Sequence, residues 1–201
     1  LDAAGEDTPV ILPRLHHHGK IGKLRRPFVN LQTVEVIFKD ALRRVEGAFS
    51  VIAMTRTKLI GVRDPLGVRP LVLGRIGDDG FVLASETCAL DIIGAEFLRE
   101  IEPGEMVVIS KGEVESSRPF GPSTGRFCIF EHVYFSRPDS IIGGRSVYET
   151  RRQIGVELAR EAPVEADLVC PVPDSGTPAA IGYAQESGIP FAQGLVKNRY
   201  V

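Results

Sequence analysis

Residues 166–177 read ADLVCPVPDSGT, and this stretch decides the fold class of the second half of the chain. Its first part, residues 166–172, is a near-continuous apolar run, which is typical of a strand covered on both faces. Thr177 and Pro178 then predict a helix with Thr as its cap and Pro at its first position, ending near Gly188. Residues 191–196 predict the next strand. A strand, a helix and a strand in this order predict a parallel sheet.

The residues before this unit predict antiparallel hairpins. A short amphipathic helix is expected over residues 36–45, because apolar side chains recur there at helical spacing and Gly47 follows as a stop. Three pairs of strands follow, with a short polar connection inside each pair: residues 48–54 with 58–63, 70–74 with 81–85, and 106–109 with 113–115. Residues 85–87 are expected to cap a short helix over residues 88–93. Closely spaced hairpins of this kind build antiparallel sheets.

A stretch rich in Pro, Gly and Ser, residues 116–126, is the best linker candidate in the chain. We therefore predict a first domain over residues 1–118, a linker over residues 119–127 and a second domain over residues 128–201.

The second domain is expected to open with a strand over residues 128–135. SVYE at residues 146–149 then matches a capping box, in which a Ser hydroxyl accepts from the third helical amide and Glu returns to the cap amide. The helix that it opens is predicted to run to about Glu161.

Composition narrows the class of protein. The 201 residues are 43% hydrophobic, as expected for a globular core, and their net charge of -2 argues against electrostatic capture of nucleic acid. No apolar run is long enough to span a bilayer. The three cysteines, Cys88, Cys128 and Cys170, are far apart and form no CxxC pair, so a reducing cytoplasm is the expected location.

The turn after the apolar run is the candidate ligand site. Open α/β sheets bind ligands at the carboxyl ends of their strands, and a helix start suits phosphate. Asp174 and Ser175 add hard oxygen ligands suited to Mg²⁺, while Lys197 and Arg199 carry charges that suit phosphate oxygens. On local pattern alone, a capped turn without a ligand and two solvated cations are the favoured alternatives.

Cys128 allows three interpretations: a nucleophile, a metal ligand or buried apolar filler. Burial is the commonest fate of a lone Cys. On a strand, His132 would lie roughly 13 Å away on the same face, which disfavours nucleophilic catalysis by Cys128.

Taken together, several stretches resemble the amidophosphoribosyltransferases, and their order holds from about Asp40 to Val201. They are GVRDPLGVRPL (61–71), ASETCALD (84–91), EPGE (102–105), FEHVYFSRPDS (130–140), PVPDSG (171–176) and KNRY (197–200).

The resemblance implies an α+β part followed by an α/β part. The first would be the C-terminal part of an N-terminal-nucleophile (αββα) glutaminase domain, and the second the start of a type I phosphoribosyltransferase parallel sheet. It also implies transfer of glutamine-derived ammonia to phosphoribosyl pyrophosphate, giving 5-phosphoribosylamine, the first step of de novo purine synthesis.

The resemblance further implies roles for individual residues. Ser175 would be linked to Mg²⁺ with Asp174 beside it, and Cys128 would be the first of four cysteines that hold a 4Fe-4S cluster. Residues 197–200, with Lys197 and Arg199, resemble the entry to a flexible loop that closes over the substrate. Asp7 resembles the aspartate that holds the glutamine α-amino group.

Departures from the family pattern shape the expected activity. Pro9 stands where the family usually has Glu, and the catalytic first-residue Cys is absent. We therefore expect an internal piece of the enzyme, inactive alone, whose complete form binds glutamine and phosphoribosyl pyrophosphate, is inhibited by purine nucleotides and is a homo-oligomer. The alternative is a stand-alone phosphosugar- or nucleotide-binding module that uses residues 128–201 without catalysis.

Overall fold

The computed structural model describes residues 31–78, 80–198 and 200. The chain divides into two units, residues 1–41 and residues 42–201. The first helix, α1 (Leu31–Leu42), begins and ends earlier than the predicted helix over residues 36–45. Gly47 has the positive φ of a stop residue (98°), but it lies five residues beyond the end of α1.

Two antiparallel sheets open the second unit. The first has the order β1-β2-β6-β7 and the second the order β4-β3-β5. Their strands are β1 (Ser50–Met54), β2 (Leu59–Arg63), β3 (Val72–Ile76), β4 (Gly80–Ala84), β5 (Glu96–Glu100), β6 (Met106–Ser110) and β7 (Glu113–Ser117). The pairings β1 with β2, β3 with β4 and β6 with β7 confirm all three predicted hairpins.

Apolar side chains hold these sheets face to face. Leu73 in β3, with Leu71 just before that strand, shares one buried cluster with Val107 in β6. The sheets approach closely at Gly61 in β2, where an added Cβ would lie 2.6 Å from a methyl carbon of Leu83 in β4. The two sheets therefore cover each other on one face, as antiparallel sheets commonly do.

Helix α2 (Thr87–Ile92) packs on the outer face of the second sheet, where Leu90 joins Val72 in a second buried cluster. The N-cap is Glu86, within the predicted capping residues 85–87, but its side chain makes no cap hydrogen bond. The Thr87 hydroxyl instead accepts a hydrogen bond from the amide of Ile141 at 2.8 Å. The Thr87 hydroxyl is therefore bonded to a residue far along the chain and does not cap the helix.

The predicted linker has neither helix nor strand over residues 118–128. It lies against the loop after β5, since Ser123 Oγ and Arg118 Nη1 both donate to the carbonyl oxygen of Pro103. The division into domains at residues 119–127 stays a prediction.

The predicted strand over residues 128–135 is wrong, because these residues form helical turns that end in a π-helix (Glu131–Phe135). The aromatic and β-branched composition suggested a strand, yet the buried side chains are polar ones, Glu131 and His132. Their partners lie elsewhere in the fold, and those contacts outweigh the local strand preference.

A two-residue hairpin, β8 (Ile141–Ile142) with β9 (Arg145–Ser146), leads into α3 (Val147–Glu161). Ser146 is the N-cap and its hydroxyl accepts from the Glu149 amide at 3.3 Å, which confirms the predicted cap and the end of the helix. The return bond of the capping box is replaced, because the Glu149 carboxylate pairs with Arg152.

The predicted strands over residues 166–172 and 191–196 are reduced to one bridge, Val169 with Phe191, and that bridge is parallel as predicted. The expectation of a strand covered on both faces is wrong, since Leu168 is 48% exposed and Val172 is 72% exposed. A parallel strand is covered when further strands and two helix layers surround it, and the described residues supply a single bridging partner.

Helix α4 (Thr177–Ser187) joins the two bridged segments. Its N-cap is Gly176 rather than Thr177, because residues 173–176 already form a turn in which the Thr177 amide donates to the Asp174 carbonyl. Gly188 closes the helix with φ of 74°, as predicted.

Candidate functional site

One cavity brings together three of the residues singled out from the sequence. Asp174, Ser175 and Lys197 line a space of about 580 Å³, a volume in the ordinary range for small-molecule sites. Tyr134 and Phe135 line it as well. The polar groups in this cavity are a carboxylate, a hydroxyl and an ammonium group beside an aromatic wall. The ammonium group suits a phosphorylated ligand, and the carboxylate and hydroxyl oxygens suit a bound cation.

The loop that carries Asp174 and Ser175 is shaped by backbone contacts. Gly176 leaves no room for a side chain, because a Cβ there would lie 2.7 Å from the Val172 carbonyl oxygen. No described side chain caps the start of α4 at Gly176. Helix starts of this kind carry amides and a partial positive charge that attract anions.

Lys197 reaches the cavity from the segment after the parallel bridge. It is exposed, and Leu195 and Val196 beside it also line the cavity. The β-α-β connection thus places the end of one bridged segment beside the end of the next, which is how parallel units build a ligand site.

The aromatic wall was missed in the reading of the sequence, which treated residues 128–135 as a strand. Tyr134 and Phe135 lie at the end of the π-helix, and Phe135 stacks under the guanidinium of Arg69 at 5.1 Å. Segments of π-helix recur at functional sites, but no local pattern in the sequence identified this one.

The remaining predicted site residues lie apart from the cavity or outside the described residues. Asp7 and Arg199 are outside them. Cys128 is half-buried, directly before the helical turns, and it carries a free thiol, as do Cys88 and Cys170. Across the described part of the chain, no three His, Cys, Asp or Glu side chains come together as a metal-binding group.

His132 lies in the same π-helix and is 6% exposed. Burial lowers the pKa of its imidazole below 6.5, and the positive charges of Arg145 and Arg151 lower this pKa further. Its ring contacts Phe127 at 5.0 Å between centroids. The placement of Cys128 and His132 on one strand is wrong. Cys128 directly precedes the helical turns, and His132 lies within them.

The stretch GVRDPLGVRPL, residues 61–71, folds as an internally bonded turn. Asp64 is fully buried, and its carboxylate accepts from the amides of Leu66 at 2.9 Å and Val68 at 3.0 Å. Arg63 donates to the carbonyl oxygens of Gly67, Arg69 and Ile101. The Gly67 amide donates to the Asp64 carbonyl oxygen and closes a turn over residues 64–67. These charges hold the backbone together rather than facing a ligand.

Comparisons with known proteins agree with this mixed α/β architecture. A family model described as a glutamine amidotransferase domain matches residues 27–91. The chain therefore contains part of a glutamine amidotransferase domain, and this defines its class.

Full-length relatives narrow the class to one family. An amidophosphoribosyltransferase from Rhizobium etli is 55% identical over 169 residues, which cover 82% of this chain and 34% of that protein. One from Mycobacterium bovis is 58% identical over 169 residues, covering 84% of this chain and 32% of that protein. The chain belongs to the amidophosphoribosyltransferase family, and it spans about a third of the length of these relatives.

A solved structure supports the same assignment. Glutamine phosphoribosylpyrophosphate amidotransferase from B. subtilis, in complex with ADP and GMP, superimposes with a TM-score of 0.80 at 48% identity. The match covers 84% of this chain and 37% of that one. Within residues 31–78 and 80–198, no helix is both long enough and apolar enough to cross a membrane.

Proposed function

We propose that this chain is part of an enzyme that moves ammonia from glutamine to phosphoribosyl pyrophosphate. The overall reaction consumes glutamine, water and phosphoribosyl pyrophosphate, and it yields glutamate, 5-phosphoribosylamine and pyrophosphate. The observation that carries the proposal is the cavity that unites Asp174, Ser175 and Lys197, in a chain whose relatives bear the name of this activity.

The two halves have different tasks in this proposal. The antiparallel sheets would belong to an N-terminal-nucleophile glutaminase domain, and residues 128–201 would begin a type I phosphoribosyltransferase sheet. Asp7 would hold the glutamine α-amino group, and residues 197–200, with Arg199, would enter the loop that closes over the sugar. A cytoplasmic location, a homo-oligomeric state and inhibition by purine nucleotides complete the proposal.

The residues in the cavity account for binding of the diphosphate. Lys197 would neutralise phosphate oxygens as a point charge, and the start of α4 would add amide donors. As the bond between C1 of the ribose and the diphosphate oxygen breaks, negative charge grows on that oxygen, and these groups stabilise the charge. Tyr134 and Phe135 would cover one side of the sugar and exclude water, which keeps ammonia as the attacking group.

The donor set also fits Mg²⁺. This ion retains several waters and takes one or two protein oxygens together with substrate phosphates, so a full cluster of carboxylates is not required. Asp174 and Ser175 would supply those oxygens. When bound, the ion would neutralise the diphosphate and so favour its departure.

Cys128 would supply one of the four thiolates that a 4Fe-4S cluster takes. Its thiol is free and half-buried, whereas Cys88 is buried beside Glu86 and the Cys170 sulfur accepts from the Gly194 amide. Replacing Cys128 with Ser should abolish bound iron in the protein from the complete reading frame, whereas Cys170→Ser should not.

The decisive experiment is an assay of the protein expressed from the complete reading frame that contains this sequence. With glutamine, phosphoribosyl pyrophosphate and Mg²⁺, glutamate and pyrophosphate should appear in equal amounts. Glutamate release without any pyrophosphate would contradict the proposal.

The second candidate is a stand-alone phosphosugar- or nucleotide-binding module, which the presence of the cavity within this chain favours. Calorimetry of the 201-residue chain with phosphoribosyl pyrophosphate and Mg²⁺ separates the two. Tight binding by the chain alone favours the module, and we expect none.

A further inference from the structure

We infer that Glu131 is a positioning residue for the candidate phosphate cavity. It acts through Arg69 to hold the π-helix Glu131–Phe135, whose last two side chains form the aromatic wall. The nature of the ligand in this inference rests on the proposed function, but the mechanical role of Glu131 does not.

The Glu131 carboxylate is buried and has two identified partners. Its side chain is 3% exposed, and Arg69 Nη1 lies 2.8 Å from Oε1. The N–H groups of Arg69 are not aligned for a hydrogen bond to this oxygen, so the contact is an ion pair. Ser136 Oγ donates to Oε2 at 3.0 Å. A buried carboxylate without its counter-ion is strongly unfavourable, so the position of Arg69 dictates where residue 131 lies.

Arg69 is itself held by the first sheet. Its carbonyl oxygen accepts from Arg63 Nε at 2.8 Å and from Ser50 Oγ at 3.2 Å. Its guanidinium then contacts both ends of the π-helix, the Glu131 carboxylate at the start and the Phe135 ring at the end. One cation thus joins the sheet to the wall of the cavity.

A second arginine also holds the π-helix, and it is buried, whereas the Arg69 side chain is 47% exposed. Arg151 of α3 is 3% exposed and donates to the carbonyl oxygens of His132 and Ser136. These two bonds fix the backbone of the π-helix at His132 and Ser136. They do not prevent the helix from rotating about the line through these two points, so another contact must do so. The Arg69–Glu131 pair supplies that third point.

Loss of the charge at residue 131 should therefore displace the aromatic wall of the cavity without disrupting the packing of the hydrophobic core. Glu131→Gln keeps the shape of the side chain and an oxygen for Ser136, but it removes the attraction to Arg69. Tyr134 and Phe135 would then sample positions farther from Asp174 and Ser175, and the cavity would lose its fit to the diphosphate sugar. Small displacements of such groups are costly to catalysis.

The first test reads the π-helix directly and needs no activity. Hydrogen–deuterium exchange of the complete protein should show amides of residues 131–136 exchanging about tenfold faster in Glu131→Gln than in the native protein. Exchange in β2 and β6 should stay unchanged. Equal exchange over residues 131–136 in both proteins would overturn the inference.

The second test separates positioning from stability. With ammonia in place of glutamine, Glu131→Gln should raise the KM for phosphoribosyl pyrophosphate about tenfold, and Glu131→Asp, which keeps the charge, should recover part of this loss. Glutamine hydrolysis should stay within about twofold of the native rate. A lower melting temperature with an unchanged KM would show a purely structural role and overturn the inference.

Glu105→Gln is the matched control. The Glu105 carboxylate is also 3% exposed and paired with an arginine, Arg99, but neither residue contacts the π-helix. Its KM should match that of the native protein, and an equal rise in KM for both variants would contradict a specific role for Glu131. If the native protein shows no turnover, the proposed function fails, while the exchange measurement still decides the role of Glu131.

Discussion

The backbone of Gly155 in α3 lies directly against the carbonyl oxygen of Ala179 in α4, with no space between them for a Cβ. Gly182 of α4 makes the reciprocal contact with the carbonyl oxygen of Arg152 in α3. Two helices with small residues at their crossing can approach to backbone contact. Because α4 begins at the candidate cavity, this crossing sets the position of Ser175.

Gly155→Ala should therefore lower the free energy of unfolding by about 2–3 kcal/mol, because the added methyl group forces the helices apart. Urea denaturation followed by circular dichroism would measure the loss. The control is Gln153→Ala on the exposed side of α3, which should stay within about 0.5 kcal/mol of the native value. An unchanged midpoint for Gly155→Ala would contradict the close crossing.

Glu105→Gln should weaken the link between β5 and β7. The Glu105 carboxylate is 3% exposed and accepts two hydrogen bonds from Arg99, one from Ser116 and one from the Glu102 amide. Loss of these charge-assisted bonds should cost about 2–3 kcal/mol of unfolding free energy. Glu96→Gln, which breaks the exposed pair with Arg75, should cost less than about 0.5 kcal/mol in the same assay.

The same carboxylate should make stability depend on acid pH. Burial alone would raise the pKa of Glu105, but the hydrogen bonds from Arg99, Ser116 and the Glu102 amide hold this pKa below 4.5. The stabilisation is therefore complete above about pH 4.5 and is lost as pH falls through the lower pKa of the folded protein. Unfolding at a series of pH values should show a shallower acid slope for Glu105→Gln than for the native protein, and identical slopes would refute this assignment.

His132 should make the free energy of unfolding depend on pH in a higher pH range than Glu105 does. Burial and the neighbouring Arg145 and Arg151 hold its pKa below 6.5, so the unfolded chain takes up this proton first as the pH falls. The native fold is therefore destabilised progressively below about pH 6.5. His132→Gln removes the titration, and the drop in unfolding free energy between pH 7 and pH 5 should become smaller. Comparing slopes rather than absolute stabilities cancels the packing cost of the substitution.

Lys197→Ala should weaken binding of the diphosphate sugar. Removal of the point charge from the cavity should raise the KM for phosphoribosyl pyrophosphate about tenfold, while glutamine hydrolysis stays near the native rate. The control is Arg56→Ala, an exposed cation in the connection between β1 and β2. An equal change in KM for both variants would indicate a general effect of net charge, and the assignment of Lys197 would fail.

Local sequence patterns predicted the elements whose partners lie within a few residues. The three hairpins formed as expected because their turns and alternating side chains act over short distances. The Ser146 cap and the Gly188 stop did so for the same reason. Patterns failed where distant partners compete, as at Thr87, whose hydroxyl binds an amide 54 residues away, and over residues 131–135.

The sequence by itself determined the three antiparallel hairpins, the parallel direction of the bridge between Val169 and Phe191, and the family to which the chain belongs. Only the tertiary structure revealed the ion pair between Arg69 and Glu131 and the cavity that Phe135 lines together with Lys197. Turns and caps depend on the conformational preferences of neighbouring residues. The position of a buried charge depends on its partner, which can lie far away along the chain. Local patterns in one sequence do not identify that partner.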